Sequence, residues 1–227
     1  MNPAATPTGV RRATVEANRQ RLLTAAEGLF AERGLAVTLN DVAHRAGVGV
    51  GTAYRRFANK DELIDAVFDR RLDEVAALAQ ECLGDPDPWH GLASYLERSL
   101  QMEVGDRSLS QMVHNSVQPS DRRITQWRDR LAPLLEQLVQ RAKDSGALRP
   151  DVVASDAIYL KAALTSIIDM SRHDAPDIFR RYLTVVLDGL RARPGLPSAL
   201  PVPPVSTDTA DADMAAVHWR AGGHPAS

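Results

Sequence analysis

The 227-residue sequence predicts an all-α chain, with a small N-terminal helical unit ahead of a larger helical body. Three observations predict it. Apolar residues recur at helical spacing in one segment after another, with no convincing strand between them. Aromatic residues make up only 5% of the chain while Ala, Leu and Val are abundant, which favours helices over a β-sandwich. Capping residues, Pro and Gly stand where those segments start and stop. A hydrophobic content of 44% supplies a real core for a chain of this length.

The first helix spans about 14–33, with Leu22, Leu23, Ala26, Leu29 and Phe30 as its apolar stripe and Gly34 as its stop. Thr38 caps a short helix through Ala46, which ends at Gly47. Another short helix covers about 51–57. Asn59 then caps a longer one, on which Leu63, Ala66, Val67, Leu72, Val75 and Leu78 mark the buried face. Asp87 caps and Pro88 opens the next, which continues to about Glu103. A shorter segment at about 107–117 precedes "QPSD", and a long helix from about 120 to 144 stops at "DSGALRP". The last two helices, about 154–172 and 176–192, are split by Pro176. From Pro194 the sequence turns Pro-rich and loses periodicity, so 194–227 reads as a disordered tail. Residues 1–13 read as a flexible basic arm, 14–60 as the N-terminal domain and 61–193 as the body.

The net charge of −2 is unevenly spread. Residues 11–60 hold nine Lys/Arg against four Asp/Glu, an excess of five, which leaves −7 for the remainder. A basic head on an acidic body suits a polyanion-binding module carried by a regulatory or dimerising domain. The single cysteine, Cys82, excludes an intramolecular disulfide framework and a Cys-rich zinc finger. Nothing basic flanks it to activate the thiol. No apolar run approaches the roughly 18 residues of a membrane span, and the first twenty residues lack a signal-peptide core. The expected setting is cytoplasmic, with no membrane partner.

The most informative stretch is "GVGVGTAYRRF", residues 47–57. A dinucleotide-binding glycine loop must follow a strand, but the upstream "TLNDVAHRA" is a capped helix, and no G-K-[ST] follows. Two short helices joined by a tight glycine turn instead make a helix-turn-helix. Gly47 supplies the positive φ that this turn needs, and Ala43 lets the helices cross closely. Val42, Val48, Ala53 and Phe57 are the residues expected inside. Thr52, Tyr54, Arg55 and Arg56 remain to face outward, on a helix that would enter a major groove by its N-terminus.

"TLNDVAHRAGVGVGTAYRRFANKDEL", residues 38–63, with the preceding "AAEGLFAERG", resembles the DNA-binding segment of the TetR family of bacterial transcriptional repressors. The likeness covers about residues 14–63. It rests on T-x-x-x-[VI]-A, A-G-V, G-T-x-Y-x-x-F and K-x-E-L taken together. It implies that Tyr54 and Lys60 grip backbone phosphates and that Thr38 meets one at a helix N-terminus. Val50, Gly51 and Thr52 would lie at the groove-facing start of the recognition helix, with Asn40 as a further base contact and Arg55 as a further candidate. Arg56 stands where the family often has His, and an arginine there still binds phosphate and carries a permanent charge. Gly49 stands where a Ser often caps the recognition helix, so that helix lacks its side-chain cap.

The body is less diagnostic, although "SGALRPDV" is similar to a segment common in one subgroup of the family. One recognition helix grips too little DNA to find a single operator, so a homodimer reading near-palindromic double-stranded DNA is expected. The last two helices carry apolar positions on more than one face, which points to Ile167, Ile178, Tyr182, Leu183, Val186 and Leu190 as the dimer interface. The resemblance also implies a cavity in the body for a small-molecule effector of unknown identity. Trp89, Tyr95, Met112, His114, Trp127, Tyr159 and Asp169 are the candidates to line it. Asp169 and His173 stand four apart, without a third ligand for a metal. No nucleophile–base pair or acidic dyad is recognisable, so neither an enzyme nor a cofactor is expected. Two function classes remain in view: a regulator released from its operator by an effector, and an effector-independent architectural DNA binder.

Overall fold

The computed structural model describes residues 7–105, 122–193, 199–210 and 213. The segment expected as a helix at 107–117 lies outside them. Eight α-helices are described: α1 Pro7–Arg33, α2 Leu39–Ala46, α3 Val50–Tyr54, α4 Lys60–Leu83, α5 Pro88–Gly105, α6 Arg122–Asp144, α7 Ala154–Ser171 and α8 Phe179–Leu190. A short 3₁₀ turn, Gly34–Ala36, joins α1 to the loop before α2. The chain divides into two compact units, Met1–Arg70 and Arg71–Ser227, so the division falls within α4 rather than at 60/61.

In the N-terminal unit α1 is longer than its periodicity predicted. It begins at Pro7, where a proline suits the first turn, so residues 7–13 are helical and not a flexible arm. Its buried stripe comprises Leu22, Leu23, Ala26, Leu29 and Phe30, none more than 2% exposed. Val42 and Ala43 of α2, Ala53 of α3 and Phe57 just beyond it complete this core. Burial of such apolar side chains is worth about 1.5–3 kcal/mol each, so this stripe holds the small unit together. The first part of α4 is tied to α1 by polar contacts as well. Arg70 ion-pairs with Glu27 and its Nη1 donates to Thr24 Oγ1 at 3.3 Å.

In the C-terminal unit α5 packs against α6, α7 and α8. Gly146, at φ 74, lets the chain leave α6, and "ALRP" then turns back along the end of α8. Leu148 bridges Arg191 in antiparallel fashion, flanked by Arg149 N–H to Leu190 O at 3.0 Å and Ala192 N–H to Ala147 O at 2.9 Å. The Arg149 guanidinium closes the turn with two 2.7 Å bonds to the Asp151 carboxylate.

The tail departs from its expected disorder. Residues 199–210 and 213 lie on the body, where Ser155 Oγ donates to Val205 O at 2.8 Å and Tyr159 Oη donates to Asp213 Oδ2 at 2.5 Å. Arg128 pairs with Asp208 at 2.9 Å, and Ala210 is fully buried. Residues 207–210 and 213 are helical, Ala210 N–H donating to Ser206 O at 3.0 Å, and the residues before them need no periodicity when their carbonyls and side chains find partners on existing helices.

Candidate nucleic-acid interface

The candidate site is built from the cap of α2, the turn after it and the short α3. Thr38, extended at φ −94 and ψ 161, opens α2 with a reciprocal box. Its Oγ1 accepts from Asp41 N–H at 3.2 Å, and its own N–H donates to Asp41 Oδ2 at 2.9 Å. The Thr38 hydroxyl also donates to the same carboxylate oxygen at 2.5 Å. These bonds hold the Asp41 carboxyl below its ordinary value of 3.8, the Thr38 side chain contributing most. Its N–H and its hydroxyl both donate to Asp41, so Thr38 serves as the cap of α2.

Gly47 adopts the left-handed conformation at φ 60, as its place in the turn requires, and its N–H donates to His44 O at 3.1 Å. Val48 N–H returns to Ala43 O at 3.0 Å. Arg21 of α1 reaches across to donate to Gly47 O at 3.3 Å, a support that sequence pattern did not reveal. At Gly49 the cap of α3 has no side chain to offer; its carbonyl accepts Thr52 N–H at 2.8 Å and Ala53 N–H at 3.0 Å. The helix that follows is only five residues long, and beyond it Arg55 and Arg56 form a turn.

Of the nine residues expected to meet DNA, none is buried. Thr38, Asn40, Gly51, Tyr54, Arg55 and Arg56 are exposed, and Val50, Thr52 and Lys60 are half-buried. Tyr54 is 49% exposed, unusual for a large ring that a core would otherwise claim. A Cβ built on Gly51 would meet no atom of the chain within 4 Å. Arg55 Nη2 donates to Thr52 Oγ1 at 2.9 Å, so the guanidinium is held while the Thr52 hydroxyl keeps its own proton to give. The Lys60 ammonium donates to Leu35 O, which uses one of its three donors. His44 is exposed one turn after Asn40 on α2, a second polar group on that helix that the motif did not single out. Arg19 lies over the Phe57 ring, 5.7 Å from its centre.

In the C-terminal unit a cavity of about 20 Å³ is lined by Arg71, Val75, Ser99, Met102, Glu103, Trp127 and Lys161. Of the seven residues expected to line an effector site only Trp127 is here. Trp89 and Tyr95 are core residues at 7% and 3% exposure, Trp89 beneath the Arg191 guanidinium at 4.5 Å. Burial pushes the Tyr95 hydroxyl far above its ordinary pKa of 10. Tyr159 faces outward to Asp213, which raises its pKa to about 12, and Asp169 pairs with Arg172 at 3.6 Å. Met112 and His114 lie outside the described residues. Glu103 and Lys161, the ion pair in the cavity wall, carried no signal in the sequence because they come from helices far apart in the chain.

The expected dimer surface also needs correction. Leu183 and Leu190 are 3% and 8% exposed, turned into their own subunit. Ile167, Ile178 and Val186 are half-buried, and Tyr182 is 45% exposed. Met170 and Val185, at 86% and 65%, are the exposed apolar residues on these helices that the periodicity missed. A stripe two residues wide has an inner and an outer edge, and spacing alone does not say which is which. Cys82 is buried, and that burial pushes its thiol above the ordinary value of 9.0. Among the described residues no helix is long and apolar enough to cross a membrane, and no three His, Cys, Asp or Glu side chains gather as a metal site would.

Residues 22–67 match the family described as bacterial regulatory proteins of the tetR family, and residues 87–192 match a C-terminal domain described as transcriptional regulator SbtR-like. The chain is 32% identical over 120 residues to the regulator TtgR of Pseudomonas putida, covering 49% of this chain and 57% of that one. It is 42% identical over 64 residues to the repressor KstR2 of Mycobacterium tuberculosis, covering 28% and 32%. The chain thus spans about half the length, or less, of these relatives. Among solved structures, the regulator SCO0520 of Streptomyces coelicolor superposes with a TM-score of 0.61 at 27% identity, covering 77% of this chain and 98% of that one. A regulator from Mycobacterium vanbaalenii gives 0.59 at 27%, covering 79% and 98%.

Proposed function

The chain belongs to the TetR family of bacterial transcriptional regulators, and from this we infer that it binds a near-palindromic operator as a homodimer and leaves it when a small molecule occupies the body. The observation that carries the DNA half is the surface of α3. This helix buries Ala53 alone and leaves Gly51 and Tyr54 exposed, with Arg55 and Arg56 beside them. An apolar partner would not be matched by that surface, whereas a phosphate backbone and the edges of bases would. Tyr54, Arg56 and Lys60 hold backbone phosphates in this reading. Thr52 and Arg55 act together on base edges, with Asn40 and His44 approaching from α2. The backbone at Gly51 comes closest to the groove, since no Cβ stands in the way.

Repression follows if the dimer occupies a promoter. Release requires an effector that binds one of two conformations better than the other, since a ligand with equal affinity for both shifts nothing. No metal or organic cofactor enters this scheme, and no step in it is enzymatic.

Fluorescence anisotropy on DNA taken from upstream of the chain's own gene tests the reading. Binding is expected to survive excess random competitor and to weaken steeply as salt rises, because each neutralised phosphate releases counterions. Equal binding to operator and random duplex at every salt concentration would leave an architectural DNA binder in its place.

A further inference from the structure

The cavity in the C-terminal unit contains a polar group whose bonding is incomplete. Glu103 of α5 is 6% exposed, and its Oε1 accepts from Lys161 Nζ of α7 at 3.1 Å. Its other carboxylate oxygen, Oε2, is buried and has no hydrogen-bond partner among the described residues. Buried carboxylate oxygens are costly to leave unmet, and native structures seldom do so without a reason. The one hydroxyl in the cavity wall does not supply the donor. Ser99, one helical turn before Glu103, gives its proton to Leu96 O at 3.1 Å and so presents only lone pairs. The space itself, about 20 Å³, is the size of a single water.

We propose that this cavity seats the hydroxyl of a neutral, largely apolar effector, with Glu103 as the residue that selects it. The inference rests on the effector-released reading above. A hydroxyl is the size of the space and both gives and accepts. Its proton goes to Glu103 Oε2, and its lone pairs accept from Lys161, whose ammonium has donors beyond the one given to Glu103. Charge decides against the alternatives. Lys161 is matched by Glu103, and Arg71 is held by Glu74 at 2.6 Å. A carboxylate head would lie against Glu103, and an ammonium head would add an unmatched buried cation beside Lys161. An ether or ketone accepts from Lys161 but leaves Oε2 unmet. The space holds the hydroxyl alone, so an apolar body enters only as the wall repacks, which Met102, a long flexible side chain beside Trp127, permits.

Four probes with one chain length separate these cases: 1-octanol, octyl methyl ether, octylamine and octanoate, each titrated into the full chain by calorimetry. 1-Octanol is expected to bind at least tenfold more tightly than each of the other three. In the double variant Glu103→Met/Lys161→Met, which replaces the ion pair by apolar side chains of similar size, the alcohol and the ether are expected to bind within about twofold of each other. Tightest binding by octylamine or octanoate would overturn the proposal, as would equal binding of alcohol and ether to the unaltered chain. Binding of none of the four would make the cavity the seat of a structural water only. The unaltered chain decides these outcomes by itself, so a double variant that fails to fold leaves the test intact. Operator affinity, measured separately by anisotropy, keeps the two readings apart: a chain that binds 1-octanol but no operator overturns the regulator reading alone, and the reverse overturns the head-group assignment alone.

Discussion

At the scale of single residues, the site depends on a backbone conformation before it depends on any charge. Gly47 sits at φ 60, and a Cβ there would approach Arg21 Nη2 to 3.0 Å. Gly47→Ala is expected to cost about 1–2 kcal/mol from the left-handed backbone alone, read as a lower melting temperature with operator affinity falling in parallel. Arg55→Ala should instead leave the melting temperature unchanged and weaken the operator more than random DNA, since Arg55 is exposed and its guanidinium donates to the Thr52 hydroxyl beside the same surface. A third residue-scale expectation concerns pH. His90 Nδ1 lies 2.6 Å from Asp85 Oδ2, and this bond raises the histidine above its ordinary 6.5 and lowers the aspartate below its ordinary 3.8. A raised histidine stabilises fully below pH 6.5 and loses that contribution as pH climbs through its folded value. The lowered aspartate contributes above pH 3.8 and loses its share as pH falls through its own folded value. Melting curves of the unaltered chain and His90→Gln should therefore differ between these limits and converge on either side. A constant difference up to pH 9 would rule the ion pair out as its source.

At the scale of elements, α2 is set by its two ends, and both ends were legible in the sequence. The Thr38–Asp41 box and the left-handed Gly47 are local features, fixed by residues three or four apart, and local pattern reports such features well. Thr38→Ala is expected to cost about 1 kcal/mol and to weaken operator binding only through loss of α2, so Thr38→Ser should restore both. The tail shows the opposite case. Its order comes from Arg128 on α6 and Ser155 and Tyr159 on α7, together with burial of its own Ala210, and no periodicity within 199–210 could announce those partners. Deleting residues 199–227 should destabilise the chain by about 2 kcal/mol, from one part-buried hydrogen bond, one exposed ion pair and one buried methyl group. That corresponds to a melting temperature lower by roughly 4–8 °C for a protein of this size.

At the scale of the whole molecule, a regulator that reads two half-sites must pair its bodies, and the exposed apolar residues of α7 and α8 are where pairing is expected. Met170 and Val185 stand in solvent to an extent that a lone subunit has no use for. Val185→Glu should yield a folded monomer by light scattering, with an intact melting transition and little operator binding. Leu183→Glu should behave differently, because that side chain is 3% exposed inside its own subunit and a charge there unfolds the protein. An intact dimer for Val185→Glu would place the interface elsewhere.

The sequence by itself determined the succession of helices, the caps of α2, α4 and α5, the turn at Gly47 and the helix-turn-helix of the head. Each of these is written in residues a few positions apart, where spacing, propensity and backbone sterics act directly. Only the tertiary structure decided which edge of the α8 stripe faces inward, where the tail comes to rest, and that Glu103 and Lys161 meet in one cavity wall. The sequence separation of 58 between those two side chains is the physical reason, because burial and charge pairing at that distance along the chain belong to the packing of helices and not to any one of them.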